Sequence, residues 1–386
     1  MSLDDILSRE LDALDAQNLR RSLRLVGSPQ DAVIDLDGRT VVNFSSNNYL
    51  GLANHPALRL RGDFGVGAGA SRLIVGNLRP HRELELALAE FHGAPAALFF
   101  TSGYQANVGV LQALAGPEDV IFSDALNHAS IIDGCRLSRA RIEVYGHNDP
   151  ADLERRLLPS PGRRRFVVTD TLYSMDGDLA PLRELRTLCD EHEAYLIADE
   201  AHSTGVLGPG GRGLAAALGV RLDVHVATLG KALGTFGAYV IGSRSLIDAL
   251  INRARSFIFT TAPPPALATA ARAALALAAS AEGDRLRRQL DEHSAALRDG
   301  LRARGLLAAG AGRSPIFPII LGDERRALAA TEALLARGLY VQAIRPPTVP
   351  VGTARLRISV MATHTAEHVA ALLGALDRLD LPRTAS

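Results

Sequence analysis

Three apolar runs of strand length, FVVT at 166–169, YLIA at 195–198 and HVAT at 225–228, each end in polar residues and alternate with helical stretches such as 181–192. That alternation predicts an α/β fold built on a mostly parallel sheet. The run GAYVIGS at 237–243 predicts a further strand. In open sheets of this kind ligands bind beyond the carboxyl ends of the strands, so Asp170 with Ser174, Asp199 with His202, and Thr228 with Lys231 are expected to converge. A proline cluster at 263–265 precedes a long Ala/Leu/Arg helical stretch. Beyond it IFPIIL (316–321), YVQAI (340–344) and RLRISV (355–360) alternate with helices and predict a smaller α+β C-terminal domain. The expected division is an N-terminal helix and arm over 1–44 packing with the small domain, a large domain over 45–280 and a small domain over 281–386.

Of 42 basic side chains, 41 are arginine and one, Lys231, is lysine. Arginine replaces lysine as a surface charge, but its guanidinium stays protonated and cannot serve as an amine nucleophile. A lone lysine therefore points to amine chemistry if its surroundings support it. Those surroundings are TLGKALG, a glycine-flanked turn three residues beyond Thr228. The glycine and the Ser/Thr that a Walker motif requires around its lysine are absent, which argues against a nucleotide triphosphate site.

Formal net charge is zero over 386 residues and arginine is spread without aromatic interleaving, so no footprint for nucleic acid or membrane stands out. The start, MSLDDILSRELDALD, is acidic and amphipathic and does not read as a secretory signal. The stretch 266–279 is Ala-rich and interrupted by Arg272, unlike a membrane span. Cys135 and Cys189 are far apart and lack metal-ligand spacing, so no metal is expected and a reduced, cytoplasmic location fits.

In LIADEAHSTG a carboxylate at a strand end, Asp199, could pair with a protonated pyridine nitrogen, with His202 three residues on. The same letters match a helicase box, but no Walker A partner accompanies them. Glu200 also suits a structural strand-end salt bridge. TSGYQANVG at 101–109 reads as a turn opening a helix, where Ser102, Gly103 and Tyr104 could receive a phosphate, although any helix start looks similar. His128 in LNHAS could stack on a flat ring or be an ordinary structural histidine.

Together SSNNYLGL, GVGAGASRLIVG, TSGYQANVG, LNHASIIDG, LYSMDGDLAPL, ADEAHSTGVLGPGGRG, TLGKALG, FIFTTAPPP and AIRPPTVPVGTARLRISV resemble, in order and spacing over almost the whole chain, the α-oxoamine synthases. These are fold-type I pyridoxal-phosphate transferases. RPPTVPVGTARLRIS looks most like the alanine-using enzymes of biotin formation rather than the glycine-using members. The resemblance implies pyridoxal 5'-phosphate held as a Schiff base on Lys231, Asp199 at the pyridine nitrogen, His128 over the ring, and His202 with Ser174 near the ring hydroxyl. It implies Thr228 and the Gly103 and Tyr104 amides at the phosphate, with Thr260 and Thr261 lent across a homodimer interface. Arg357 matches the arginine that grips the amino-acid carboxylate. Arg355 is its competitor, since strand alternation puts both on one face. Asn47 and Thr348 resemble substrate-pocket residues, and Arg20 a basic residue near the thioester, with Arg21 and Arg24 close by. The implied reaction is decarboxylative condensation of L-alanine with a pimeloyl thioester of CoA or acyl carrier protein. The alternatives are another acyltransferase of the family, such as a glycine-using one, and a non-catalytic scaffold subunit, which would be expected to lose Lys231. One departure from the family is a shorter segment between Pro56 and GVGAG, where a shortened helix is expected.

Overall fold

The computed structural model describes residues 1–58, 64–158, 162–307 and 313–383. The chain divides into two compact units, one of residues 1–51, 175–177 and 288–386, the other of 52–174 and 178–287. The sequence sets the corresponding bounds at 45 and 280; helix Ala281–Ala303 begins at the second of these and runs without a break through the division at 287/288.

The smaller unit opens with helix Leu3–Ala16, fixed by reciprocal bonds in which the Ser2 hydroxyl accepts from the Asp5 amide and the Asp5 carboxylate accepts from the Ser2 amide. Strands β1 (Val33–Leu36) and β2 (Arg39–Asn43) follow as an antiparallel hairpin. Its two-residue turn is Asp37-Gly38, both at positive φ, the arrangement that matches the twist of paired strands.

The larger unit carries β3 (Ala96–Phe100), β4 (Val120–Asp124), β5 (Arg141–Tyr145), β6 (Arg165–Asp170), β7 (Ala194–Asp199), β8 (Val224–Thr228) and β9 (Ala238–Gly242). They form one sheet in the order β3-β9-β8-β7-β6-β4-β5. The run from β8 to β5 is parallel, and β9 is antiparallel to both of its neighbours. Alternate residues feed two apolar layers: Val168, Ile197 and Val226 join Phe100, Val110 and Ile131, whereas Val167 and Leu196 join Phe122, Leu185 and Leu214. Burial on both faces explains why β6, β7 and β8 read as apolar runs, and the edge strand β5, RIEVY, is largely exposed. Each fully buried side chain of this size contributes about 1.5–3 kcal/mol.

The chain returns to the smaller unit with β10 (Ile316–Gly322), β11 (Leu339–Tyr340), β12 (Gln342–Ile344) and β13 (Ala354–Ser359). Strands β10, β13 and β12 make an antiparallel sheet, and β11 instead pairs with β2. The single strand expected at 340–344 is thus two strands serving two sheets, parted at the fully buried Val341. Short helical turns occupy Leu52–Asn54 and Pro56–Leu58; the rest of the segment in which a shortened helix is expected includes 59–63, outside the described residues. Among the described residues no helix is long and apolar enough to cross a membrane, and no cluster of His, Cys, Asp and Glu is arranged to hold a metal.

Candidate active site

The carboxyl ends of β6, β7 and β8 bring their polar residues together in the larger unit. The Lys231 amine lies 2.8 Å from His202 Nε2. The turn carrying Lys231 is held by the Gly234 amide bonding to the Lys231 carbonyl at 2.9 Å. Gly234 sits at φ +63°, and a Cβ there would come within 2.3 Å of the Ala53 amide nitrogen, so the tight approach requires glycine. Thr228 Oγ1 donates to the Gly237 carbonyl and accepts from the Gly230 amide.

Asp199 is buried at the end of β7. Its Oδ2 accepts from Asn107 Nδ2 at 2.7 Å and its Oδ1 from the Ala201 amide at 2.8 Å. The same Asn107 amide donates to Ser130 Oγ at 2.9 Å, and that hydroxyl lies 2.8 Å from His128 Nδ1. The Ser130 backbone amide also donates to His128 Nδ1. A backbone donor at Nδ1 leaves that nitrogen unprotonated, so the neutral ring carries its hydrogen on Nε2. Burial lowers the His128 pKa; the Asp199 carboxylate opposes this and the Lys231 charge adds to it. On the neighbouring strand Asp170 accepts from the His128 amide at 2.8 Å. Burial and then the Asp199 charge push its carboxyl well above the usual range.

Helix Gly103–Leu114 starts here, with the Ser102 side chain capping the Gln105 amide. The Gly103 and Tyr104 amides have no intrahelical acceptor. A Cβ on Gly103 would meet nothing within 4 Å, so the backbone at this helix start is uncrowded on that side, and unbonded amides at a helix start suit a phosphate. The Tyr104 hydroxyl donates outward to Asp133 at 2.6 Å. Ser174 is half-buried on the loop after β6. Thr260 Oγ1 bonds the Thr261 carbonyl at 3.5 Å beside Phe259, which is 70% exposed. An amine, a paired carboxylate, a neutral imidazole and free helix amides fit an aromatic aldehyde phosphate bearing a ring nitrogen.

The remaining expected residues lie in the smaller unit. Arg357 is buried and donates to Ser359 Oγ at 2.8 Å, Asn47 Oδ1 at 3.0 Å and the Tyr49 hydroxyl at 3.4 Å. Arg355, two residues away, bonds the Asp176 carboxylate at 2.5 Å and the Met175 carbonyl. Arg20 pairs with Asp15 at 2.6 Å and Arg24 with Glu332, whereas Arg21 donates to the Pro346 carbonyl and to Thr348 Oγ1. These three arginines, Arg345 and Thr348 line a polar cavity of about 690 Å³.

The profile of aminotransferase class I and II matches residues 39–376. A protein of Anaeromyxobacter dehalogenans (strain 2CP-1) named 8-amino-7-oxononanoate synthase is 53% identical, over 98% of this chain and 96% of its own. The chain belongs to this family, as an α-oxoamine synthase. A Geobacter sulfurreducens synthase of the same name is 50% identical over 97% of both chains. Among solved α-oxoamine synthases, serine palmitoyltransferase from S. paucimobilis, with a bound PLP–myriocin aldimine, superposes with a TM-score of 0.91. It is 33% identical, over 97% of this chain and 96% of that one. The 8-amino-7-oxononanoate synthase of Francisella tularensis gives 0.76 at 29% identity over 88% and 97%. This chain is accordingly a fold-type I transferase with pyridoxal 5'-phosphate as its cofactor.

Two site residues escaped the sequence. Asn107 and Ser130 link His128 to Asp199, and both lie within motifs quoted for the family, but nothing local distinguishes them from helix-face polar residues. The packing of helix Gly103–Leu114 on helix Ala129–Ser138 brings them together.

Proposed function

We propose that this enzyme condenses L-alanine with a pimeloyl thioester, forming 8-amino-7-oxononanoate with release of CO2 and the free thiol, in biotin biosynthesis. Three carbons from alanine and seven from the pimeloyl group, less the one lost as CO2, account for the nine-carbon product. The observation that carries this reading is the match, at about half identity and nearly full length, to relatives of that name.

When bound, pyridoxal phosphate supplies an electron sink for a carbanion at the amino-acid Cα. Lys231 anchors it, then takes and returns the Cα proton as a neutral amine, with His202 Nε2 at 2.8 Å as the acceptor that orients the amine. Asp199, aimed by Asn107 and the Ala201 amide, holds the ring-nitrogen proton. His128, neutral, covers the ring face, and His202 and Ser174 serve the ring hydroxyl. The Gly103 and Tyr104 amides after Ser102, with Thr228, receive the phosphate, joined by Thr260 and Thr261 of the partner subunit. Arg357, its fork positioned by Asn47, Tyr49 and Ser359, takes the amino-acid carboxylate. Thr348 and the arginine cluster of Arg20, Arg21 and Arg24 serve the thioester.

A homodimer is part of the proposal. It is supported by exposed apolar side chains on helix Leu3–Ala16, at Leu3, Leu7, Leu11 and Leu14, and on the loop bearing Leu73, Ile74 and Val75. The proposed location is the cytoplasm, where the free Cys135 and Cys189 stay reduced.

Assays pairing alanine, glycine and serine with pimeloyl-, acetyl- and succinyl-CoA, and with pimeloyl-acyl carrier protein, test the reading. Alanine with a pimeloyl thioester is expected to exceed every other pair in kcat/KM by about a hundredfold, the discrimination a shaped pocket can reach. Absence of turnover with that pair sinks the substrate assignment.

A further inference from the structure

The carboxylate of Asp199 turns toward helix Gly103–Leu114, but that of its chain neighbour Glu200 turns the other way, to the start of helix Leu214–Leu218, where Oε1 accepts from the Ala215 amide at 2.8 Å. There it borders a cavity of about 740 Å³ in the larger unit. Preformed sites for small organic ligands span about 300–1,000 Å³, so the volume suits a specific ligand. Phe166 and Tyr195 are the second residues of β6 and β7, and Val224 is the first of β8, so much of the wall lies toward the amino ends of strands whose carboxyl ends carry the active-site groups.

The chemistry of the wall is specific. Leu114, Phe166, Val224, Ile241 and Leu246 give it an apolar body. Glu200 is fully buried, and its Oε2 lies 3.1 Å from His225 Nε2 without the alignment of a hydrogen bond, so both atoms lack a hydrogen-bond partner among the described residues. A buried polar pair left this way is rare in native interiors and marks a site built for more than packing. His225 stacks edge-on against His92 at 4.6 Å, and His92 Nε2 lies 3.0 Å from the Tyr239 hydroxyl. Burial draws the His225 pKa down to about 4 and lifts that of Glu200 to about 7, so at neutral pH the imidazole is uncharged and the carboxyl only partly ionised.

Charge enters through arginine. Asp223, the other acid of the wall, already accepts from Arg186, Arg221 and the Leu196 amide. Arg164 bonds Asp119. Arg212 donates from Nε to the Pro209 carbonyl, and its two terminal nitrogens make no hydrogen bond or ion pair among the described residues. A half-buried guanidinium fork at an apolar cavity selects a carboxylate.

We propose that this cavity is a second binding site, for an organic anion with an apolar body, its carboxylate paired with Arg212. The site is separate from the cofactor's, and it takes the carboxylate by a fork rather than through the helix amides used for a phosphate.

Titration calorimetry on the holoenzyme, saturated with L-alanine to occupy the amino-acid site, tests this with octanoate as the probe and 1-octanol as its uncharged counterpart. Saturable binding of one octanoate per chain is expected, with octanol about tenfold weaker. Arg212→Gln should bring octanoate down to the level of octanol. Ala249→Phe, which places a ring into the cavity from helix Arg244–Arg253, should remove both. No saturable binding to the unaltered enzyme overturns the proposal. Octanoate binding that survives both substitutions within about twofold places the probe elsewhere and overturns it as well.

Discussion

Arg355 and Arg357 stand two residues apart on β13 and point to the same face, yet the structure gives them different surroundings. Arg355 bonds the Asp176 carboxylate, whereas the bonds of Arg357 to Ser359, Asn47 and Tyr49 are to neutral oxygens. Asp176 is 31% exposed, so removing its partner leaves a partly solvated carboxylate, and Arg355→Gln is expected to cost about 1–2 kcal/mol of stability, read as a lowered thermal midpoint. Arg357→Gln should instead raise the alanine KM by about 10–100-fold with the thioester KM little changed, as loss of one charge-assisted pair predicts. Equal effects of the two substitutions on alanine KM would contradict the assignment. Asn107→Ala removes the donor to Asp199 Oδ2, leaving only the Ala201 amide at Oδ1, and breaks the link to His128; kcat should fall about 10–100-fold and the pH dependence of the cofactor absorbance should shift, neither of which a purely structural asparagine would produce. Sequence pattern could not separate Arg355 from Arg357, because alternation gives them the same face and only their partners differ.

At the scale of elements, β6, β7 and β8 were legible because each is largely buried and reads as an apolar run, whereas the parallel strand β5, RIEVY, is largely exposed and carries no such signal. The expected run at 166–169 lies within β6, and those at 195–198 and 225–228 lie within β7 and β8. The break at Val341 was not legible, since a strand that changes sheets keeps its apolar character throughout. Nor was the clamp at His147, which lies 2.9 Å from Asp124 at the end of β4 and 2.7 Å from Asp178 in the loop beyond Ser174. Burial works against its charge, but hydrogen bonds to the Asp124 and Asp178 carboxylates outweigh burial and raise its pKa to about 10. A folded pKa above the unfolded value of about 6.5 means stabilisation fully present below pH ~6.5 and lost as pH rises through ~10. His147→Leu, which leaves Asp124 without this partner, should lower stability by about 2–4 kcal/mol at pH 6. The gap from the unaltered enzyme should narrow toward pH 10 in denaturant titrations; a gap independent of pH would show that the imidazole acts by packing alone.

At the scale of the molecule, the amine, the carboxylate and the helix amides lie on one sheet of the larger unit, and Arg357 and the arginine-lined cavity lie in the smaller unit. The proposed homodimer predicts light scattering at twice the chain mass. Lys231 is the sole lysine of the chain. Arginine could take over every surface role of lysine here, but not anchorage of an aldehyde cofactor or proton transfer as a neutral amine. The direct measurement is borohydride reduction of the purified holoenzyme followed by peptide mapping. A single pyridoxyl group on Lys231, at one per chain, is the expected result. A pyridoxyl group on any other residue, or none at all in protein that retains the cofactor's absorbance, would contradict it.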